Sequence, residues 1–327
     1  LSFAFPAAYT FLISAWVYPV IVHWVWSPFG WLSAFNTKTP LLGSGMIDFA
    51  GSAVVHMTGG LAGLMGCIMV GPRLGRFDSN GQPVDMPGHS ATLFVLGTCL
   101  LWFGWYGFNP GSTINIVDLT GAASANFYLT SGRAAVITTL GGASGVLTAL
   151  ITGFVRHKAW DLIGVCNGAL VGFVSITGGA AVIEPWAALI AGFIGYLIFE
   201  LTCWVWLKLR IDDPLSASPM HGVVGIWGVI VPGIFATEEF VGQAYLNGKF
   251  GAFMGGGGHL LGCQIVGVLV IAGWICFHLL ALFFVLKLFG VLRISPEEEQ
   301  AGLDVSKHGG SAYNYDHGLN KPDKVHV

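Results

Sequence analysis

Two histidines carry the strongest chemical signal in the chain. Asp48 stands eight residues before His56 and Asp213 eight before His221, and both pairs run into small residues: Thr58, Gly59, Gly60 and Gly63, then Gly222, Gly225 and Gly228. A neutral imidazole offers one donor and one acceptor, so two in file suit the passage of a small polar molecule or a proton. Ionisable residues repeated inside apolar segments are costly to place there and mark a pathway. The aspartates also have a structural reading, because Asp is a good helix N-cap and favours the positive end of the helix dipole. That reading does not exclude function. His259 and His278 read as packed residues donating to backbone carbonyls, Asp212 as a solvated loop charge, and Glu200 as a snorkelling residue or the partner of Lys208.

Composition defines the elements that must position these groups. Of 327 residues, 54% are hydrophobic and 9% charged, with a mean hydropathy of +0.72, whereas a soluble domain carries about 25% charge. The chain is an integral membrane protein. Apolar runs long enough to cross about 30 Å of hydrocarbon, roughly 20 residues each, fall near 3–25, 47–71, 89–109, 131–155, 161–178, 185–207, 219–236 and 259–289. Lipid offers no partner for backbone N–H and C=O groups, so all eight are helices and the fold class is all-α, a polytopic membrane bundle. The membrane domain covers 1–292 and a polar tail covers 293–327. Arg73, Arg76, Arg156, Lys158, Lys208, Arg210, Lys287 and Arg293 fall on one side under strict alternation. The other side has Lys38 and Lys249, with Arg133 near its edge. The excess of basic residues puts the first set, both chain ends and the tail in the cytosol. The loops around 27–46, 110–130 and 237–258 then face outward.

The two Asp–His copies lie on spans 2 and 7. A repeat of five spans inverts in the membrane, so His56 approaches from outside and His221 from inside. Eight helical residues carry each imidazole about 12 Å inward, and the two meet near the midplane. If span 2 ends the first repeat, three spans precede Leu1 and the chain holds eight of about eleven. Leu1 lies inside an apolar run with no initiator Met or basic leader, which agrees with a missing N-terminus.

A net charge of −3 and a pI near 6.4, with basic residues scattered in short loops, give no surface for nucleic acid. Six cysteines inside apolar runs, without CxxC spacing, read as free, buried thiols. An intramembrane metalloenzyme using His56 and His221 would need further ligands close by, and the aspartates are two turns away toward opposite faces. No metal, cofactor or enzymatic activity is expected.

Aromatic residues cluster where the outer mouth should be: Tyr18, Trp24, Trp26 and Trp31 after span 1, and Trp102, Trp105, Tyr106 and Phe108 ending span 3. An interfacial belt explains them. So does a cation site, where ring faces attract a small cation by about 0.5–2 kcal/mol. The run Gly107-Phe108-Asn109-Pro110-Gly111-Ser112 ends span 3 in an irregular polar turn, tolerated at depth only where it is buried or lines a cavity.

At these residues the chain resembles the ammonium transporter, methylammonium permease and Rhesus family, most closely its plant-like branch. The matching motifs are Asp48-Phe-Ala-Gly-Ser-Ala-Val-Val-His56, Trp105-Tyr-Gly-Phe108-Asn-Pro-Gly-Ser112, Asp161-Leu-Ile-Gly-Val-Cys-Asn-Gly168, Glu184-Pro-Trp186, Asp212-Asp-Pro-Leu215 with His221-Gly222, and Leu292-Arg-Ile-Ser-Pro-Glu-Glu-Glu. They stand in family order and cover almost the whole chain. The resemblance implies pore histidines at His56 and His221, structural acids at Asp48 and Asp213, a recruitment site at Trp26 and Ser112, and the inner ring of a phenylalanine gate at Phe108. Tyr18 and Trp105 match aromatic positions near mouth and pore. It further implies a homotrimer in the plasma membrane with one pore per subunit, carrying ammonium or methylammonium, and Ser306 as a tail phosphosite for a kinase. A sensor with the same fold and no flux is the alternative. Two departures stand out: the loop from Trp26 to Asp48 is longer than in bacterial members, and Ser216 replaces the acidic residue five before the second His.

Overall fold

In a computed structural model, residues 4–114, 124–245 and 248–310 are described. Tail residues 311–327, and parts of the loops around 110–130 and 237–258, lie outside the described residues. Among the described residues the apolar runs form α1 (Phe5–Trp26), α2 (Ser52–Val70), α3 (Ala91–Phe108), α4 (Ser124–His157), α5 (Leu162–Thr177), α6 (Pro185–Lys208), α7 (Ser218–Phe235) and, after the short α8 (Glu238–Tyr245), α9 (His259–Leu288). The tail adds α10 (Pro296–Ala301) and α11 (Leu303–Ser306). Among the described residues seven helices are long and apolar enough to cross a bilayer; α5, expected as an eighth full span, is a shorter apolar helix of 16 residues. It is nonetheless buried along most of its length, wedged against α4 and α6.

Glycine sets how closely the helices approach. A Cβ on Gly145 of α4 would stand 2.0 Å from the Gly168 carbonyl of α5, so backbone meets backbone there, as small residues allow in membrane helices. The crossing of α2 and α7 is tighter still. A Cβ on Gly60 would lie 1.9 Å from Gly222 N, one on Gly225 2.9 Å from Met57 N, and one on Gly228 2.5 Å from Ser52 Oγ. Residue numbers fall along α2 as they rise along α7, so the two His-bearing helices run antiparallel, as an inverted repeat requires.

The second span begins later than its hydropathy indicates. Ile47 to Gly51 is irregular and helix starts only at Ser52. The first turns of α2 (Ser52–Met57) and α7 (Ser218–Val223) are π-helical, and each holds its histidine. A continuous helix from Asp48 to His56, and the 12 Å estimate built on it, is therefore corrected. Three other expectations change. Asp212 is buried rather than solvated: its carboxylate accepts from Arg73 Nε at 2.8 Å, Arg73 Nη2 at 3.0 Å and Arg76 Nε at 3.2 Å. Burial raises its pKa, but the Arg73 hydrogen bonds and the Arg73 and Arg76 charges outweigh this and hold it below the usual carboxylate range. Glu200 pairs with Arg156 at 2.6 Å instead of Lys208, whose ammonium lies over the Trp204 ring. Of the cysteines only Cys166 and Cys263 are buried, and Cys99 is exposed on the bundle surface.

The Arg73–Asp212 pair ties the end of α2 to the start of α7. The tail folds back onto the same place: Glu299 accepts from Leu74 N at 2.8 Å and from Arg293 Nη2 at 2.9 Å, and Arg293 Nη1 donates to Val70 O. A Ser295–Glu298 capping box starts α10.

The Gly60 crossing is testable. Gly60→Ala should force α2 and α7 apart and destabilise by about 1–3 kcal/mol or more, read as a lower melting temperature in detergent. Gly59→Ala, whose Cβ meets nothing within 4 Å, should melt like the wild type.

Candidate functional site

The site grows from one buried carboxylate. Asp48 accepts from the N–H groups of Ser52 (2.6 Å), Ala53 (2.9 Å) and Val54 (2.9 Å), satisfying three of the donors that a helix N-terminus leaves open. The capping reading of Asp48 holds, although the N-cap position itself is Gly51. Asp213 repeats the arrangement at α7, accepting from Ser218 N at 2.6 Å and Ser218 Oγ at 2.8 Å. Most of the irregular segment before α2 is also paired, as backbone at bilayer depth requires. Gln264 of α9 accepts from Ile47 N at 2.8 Å and donates to Ile47 O at 2.7 Å. Phe49 and Ala50 N–H groups donate to the carbonyls of Gly178 and Thr177 at the end of α5. Ser52 Oγ donates to Val174 O and accepts from Gly178 N. Gln264 and Ser52 were missed in the sequence reading, although a glutamine inside the most apolar span was a visible signal.

These caps aim the two imidazoles at each other. The His56 and His221 rings stack with centroids 5.2 Å apart and planes 17° from parallel. On its other side His56 meets Trp105 and Phe108 of α3, each at 5.3 Å. Trp105 is buried and fixed by its Nε1 donating to Thr177 Oγ1 at 3.3 Å. His56 Nε2 and His221 Nδ1 are buried atoms with no hydrogen-bond partner among the described residues. Buried polar atoms are seldom left so, and here they lie in one file, ready for a small guest that can donate and accept. His278, by contrast, is fully used: Nδ1 pairs with Trp274 O at 2.8 Å and Nε2 accepts from Trp16 Nε1 at 3.1 Å.

Phe108 caps the file and also lines a cavity of about 780 Å³ with Trp26, Phe35, Phe49, Ser112 and Tyr245. The irregular turn after α3 is a 3-10 turn, Pro110–Thr113, held by Asn109 Nδ2 donating to Thr138 Oγ1. Ser112 Oγ donates to Phe108 O at 2.6 Å, which commits its hydrogen and leaves its lone pairs as acceptors. Trp26 Nε1 donates to Asp48 O at 2.6 Å, so the residue that caps α2 also fixes the cavity's indole. The structure thus brings together Trp26, Ser112, Phe108, Trp105, His56 and His221, with Asp48 and Asp213 behind them. Tyr18 is not among the lining residues; it packs beneath, against the α1–α2–α9 core. Ser306 is remote, its Oγ donating to Gly302 O at 2.8 Å in the tail. Among the described residues no cluster of His, Cys, Asp and Glu has the makings of a metal site.

Fold and site together define a multi-pass helical membrane protein with a stacked histidine file under an aromatic cavity. The model of the Ammonium Transporter Family matches residues 2–313, and the chain belongs to that family. It is 49% identical over 323 residues to ammonium transporter 1 member 2 of Oryza sativa subsp. japonica, covering 97% of this chain and 65% of that protein. To ammonium transporter 1 member 1 of Arabidopsis thaliana it is 50% identical over 312 residues, covering 94% and 62%. The chain therefore spans somewhat under two thirds of the length of these plant relatives. Among solved structures, a Sensor Amt Protein superposes with a TM-score of 0.76 at 33% identity, over 90% of this chain and 67% of that one. Candida albicans Mep2 gives 0.77 at 28% identity, over 91% and 61%.

Removing the Asp48 carboxylate tests the cap. Asp48→Ala leaves three buried N–H groups unpaired at about 1–3 kcal/mol each and should abolish accumulation of folded protein. Asp48→Asn, which keeps one acceptor oxygen, should lower the melting temperature yet still fold. Equal melting of wild type and Asp48→Ala would remove the cap from its place in the fold.

Proposed function

We propose that this chain forms the conducting part of an ammonium transporter. The observation that carries the reading is the file of Phe108, His56 and His221, with unpartnered ring nitrogens, directly beneath an aromatic cavity. Ammonium is recruited at the Trp26 side, where ring faces attract the cation and the Ser112 hydroxyl, its own hydrogen committed, accepts an N–H. Near Phe108 it passes its proton to water in the cavity or to the His56 imidazole, crosses past His56 and His221 as ammonia, and takes up a proton again, from water or relayed along the two imidazoles, on the Arg73 side. The reason for deprotonation is energetic. An unpaired charge at the bilayer centre costs several kcal/mol or more, while a neutral amine exchanging hydrogen bonds with two imidazoles does not. Trp105 holds the His56 ring in plane, and Asp48 and Asp213 hold the helices that present the pair. Tyr18 supports the mouth from below.

The membrane domain of this reading is 1–292, in the plasma membrane, with the Trp26 side outward and the tail (293–327) in the cytosol. The assembly is a homotrimer with a pore in each subunit, as the family resemblance implies. Methylammonium is a second substrate. The likeness to a Sensor Amt Protein supports the alternative of a sensor with the same fold and no flux. Currents and uptake with ammonium and methylammonium at several pH values decide between them, and no saturable flux of either would sink the transport reading.

Ser306 is the proposed regulatory phosphosite. Phosphate there would break its bond to Gly302 O and add about −1.5 to −2 charges beside Glu297, Glu298, Glu299 and Asp304, so the segment is expelled from its packed position and conduction falls.

Three outcomes follow from these roles. His56→Ala and His221→Ala should each fold yet lose hydrogen-bonding capacity worth about 1–3 kcal/mol, changing ammonium flux by roughly five- to a hundredfold or relaxing ion discrimination. Trp26→Leu should raise the half-saturating ammonium concentration roughly two- to thirtyfold with little loss of abundance. Ser306→Asp should lower flux at unchanged surface abundance while Ser306→Ala does not; an active Asp variant with unaltered protease sensitivity of the tail would remove the switch.

A further inference from the structure

We propose that Arg133 is a positioning residue for the mouth cavity: reaching out from α4, it clamps α8 so that Gln243, Ala244 and Tyr245 form the cavity wall, and it thereby sets the affinity for the small cation. The proposal rests on the transport reading of that cavity. Arg133 uses both terminal nitrogens and its flat face. Nη1 donates to Ala181 O at 2.7 Å, Nη2 donates to Gln243 Oε1, and the guanidinium carbon lies 3.4 Å from the centre of the Phe240 ring. Three segments far apart in sequence are joined at one group: α4, the turn after α5, and α8. The other pole of Gln243 is held as well, its Nε2 donating to Glu239 Oε1 at 3.0 Å.

The wall needs such a clamp. With eight residues, α8 is shorter than the roughly 12–15 that an isolated helix requires. Its start is pinned to the same turn that Arg133 grips, through Thr237 N donating to Val182 O at 2.9 Å. Its far end carries Tyr245, whose ring packs 4.8 Å from that of Phe35, and both rings line the cavity with Trp26. A shift of α8 therefore moves the aromatic surface that meets the cation. Only a rigid, planar fork serves two acceptors and a ring face at once; a lysine reaches one of them. The charge itself works the other way, because a fixed cation beside a cation cavity repels the guest. Clamp and charge thus predict opposite signs.

The test uses Arg133→Lys and Arg133→Met in the full chain, measuring methylammonium uptake and surface abundance. A clamp predicts that both variants raise the half-saturating concentration about tenfold, the worth of one charge-assisted hydrogen bond, with the maximal rate per copy retained. Unchanged half-saturation in both, with only abundance reduced, overturns the proposal. So does a lowered half-saturation in the Met variant with the Lys variant unchanged, which assigns the effect to charge. A second readout needs no transport: labelling of Ala244→Cys by an impermeant thiol reagent, above the background of the native cysteines. Labelling should change severalfold when Arg133 becomes Lys, and an unchanged rate overturns the clamp. If the wild type carries no saturable flux, the transport reading fails while the labelling still reports on the clamp.

Discussion

A helix that begins inside a membrane must have its first N–H groups satisfied by the protein itself, and at α2 one carboxylate does this. Asp48 binds three consecutive N–H groups of the first turn, and the features of the site depend on that knot. The capped turn is wide enough to place His56 against Trp105, Phe108 and His221. The Asp48 carbonyl fixes the Trp26 indole at the cavity. A helix entering from the surface, with water to solvate its end, would need none of this, but its histidine would lie elsewhere. At α7 Asp213 accepts from one N–H of the first turn and from the Ser218 hydroxyl, so the two halves meet the same demand by related but unequal means.

Close backbone contact is the second condition. The imidazoles stack because Gly60 and Gly222 let α2 and α7 touch without side chains between them. The ion pair of Arg73 with Asp212 then locks the far end of that crossing. Because Glu299 of the tail binds Leu74 N–H and Arg293, the tail rests on the loop after α2, next to Arg73 and its ion pair with Asp212 before α7.

Much of this was legible in the sequence. Hydropathy located the helices because lipid leaves no other choice of structure, and the repeated Asp–His spacing picked out the histidines because both copies meet the same demand. What escaped depended on partners distant in the chain. Asp212 reads as solvated because Arg73 lies 139 residues away, and Glu200 reads as a snorkelling residue or a partner of Lys208 because Arg156, its partner, lies on a neighbouring helix. The π turns are invisible to apolar periodicity, which places a helix start where hydrophobicity begins rather than where a cap sits. Gln264 showed as a polar residue in an apolar span, but nothing local said that it brackets Ile47.

The claim that ammonium sheds its proton before the histidine file has one direct test. Potassium is close to ammonium in size and charge but has no proton to give up. Uptake of labelled methylammonium and of potassium into proteoliposomes holding the wild-type protein, at equal concentrations, compares a deprotonatable cation with one that is not. Neutral passage past His56 and His221 predicts saturable methylammonium uptake and no potassium uptake above empty vesicles. Potassium entry at a comparable rate would contradict it.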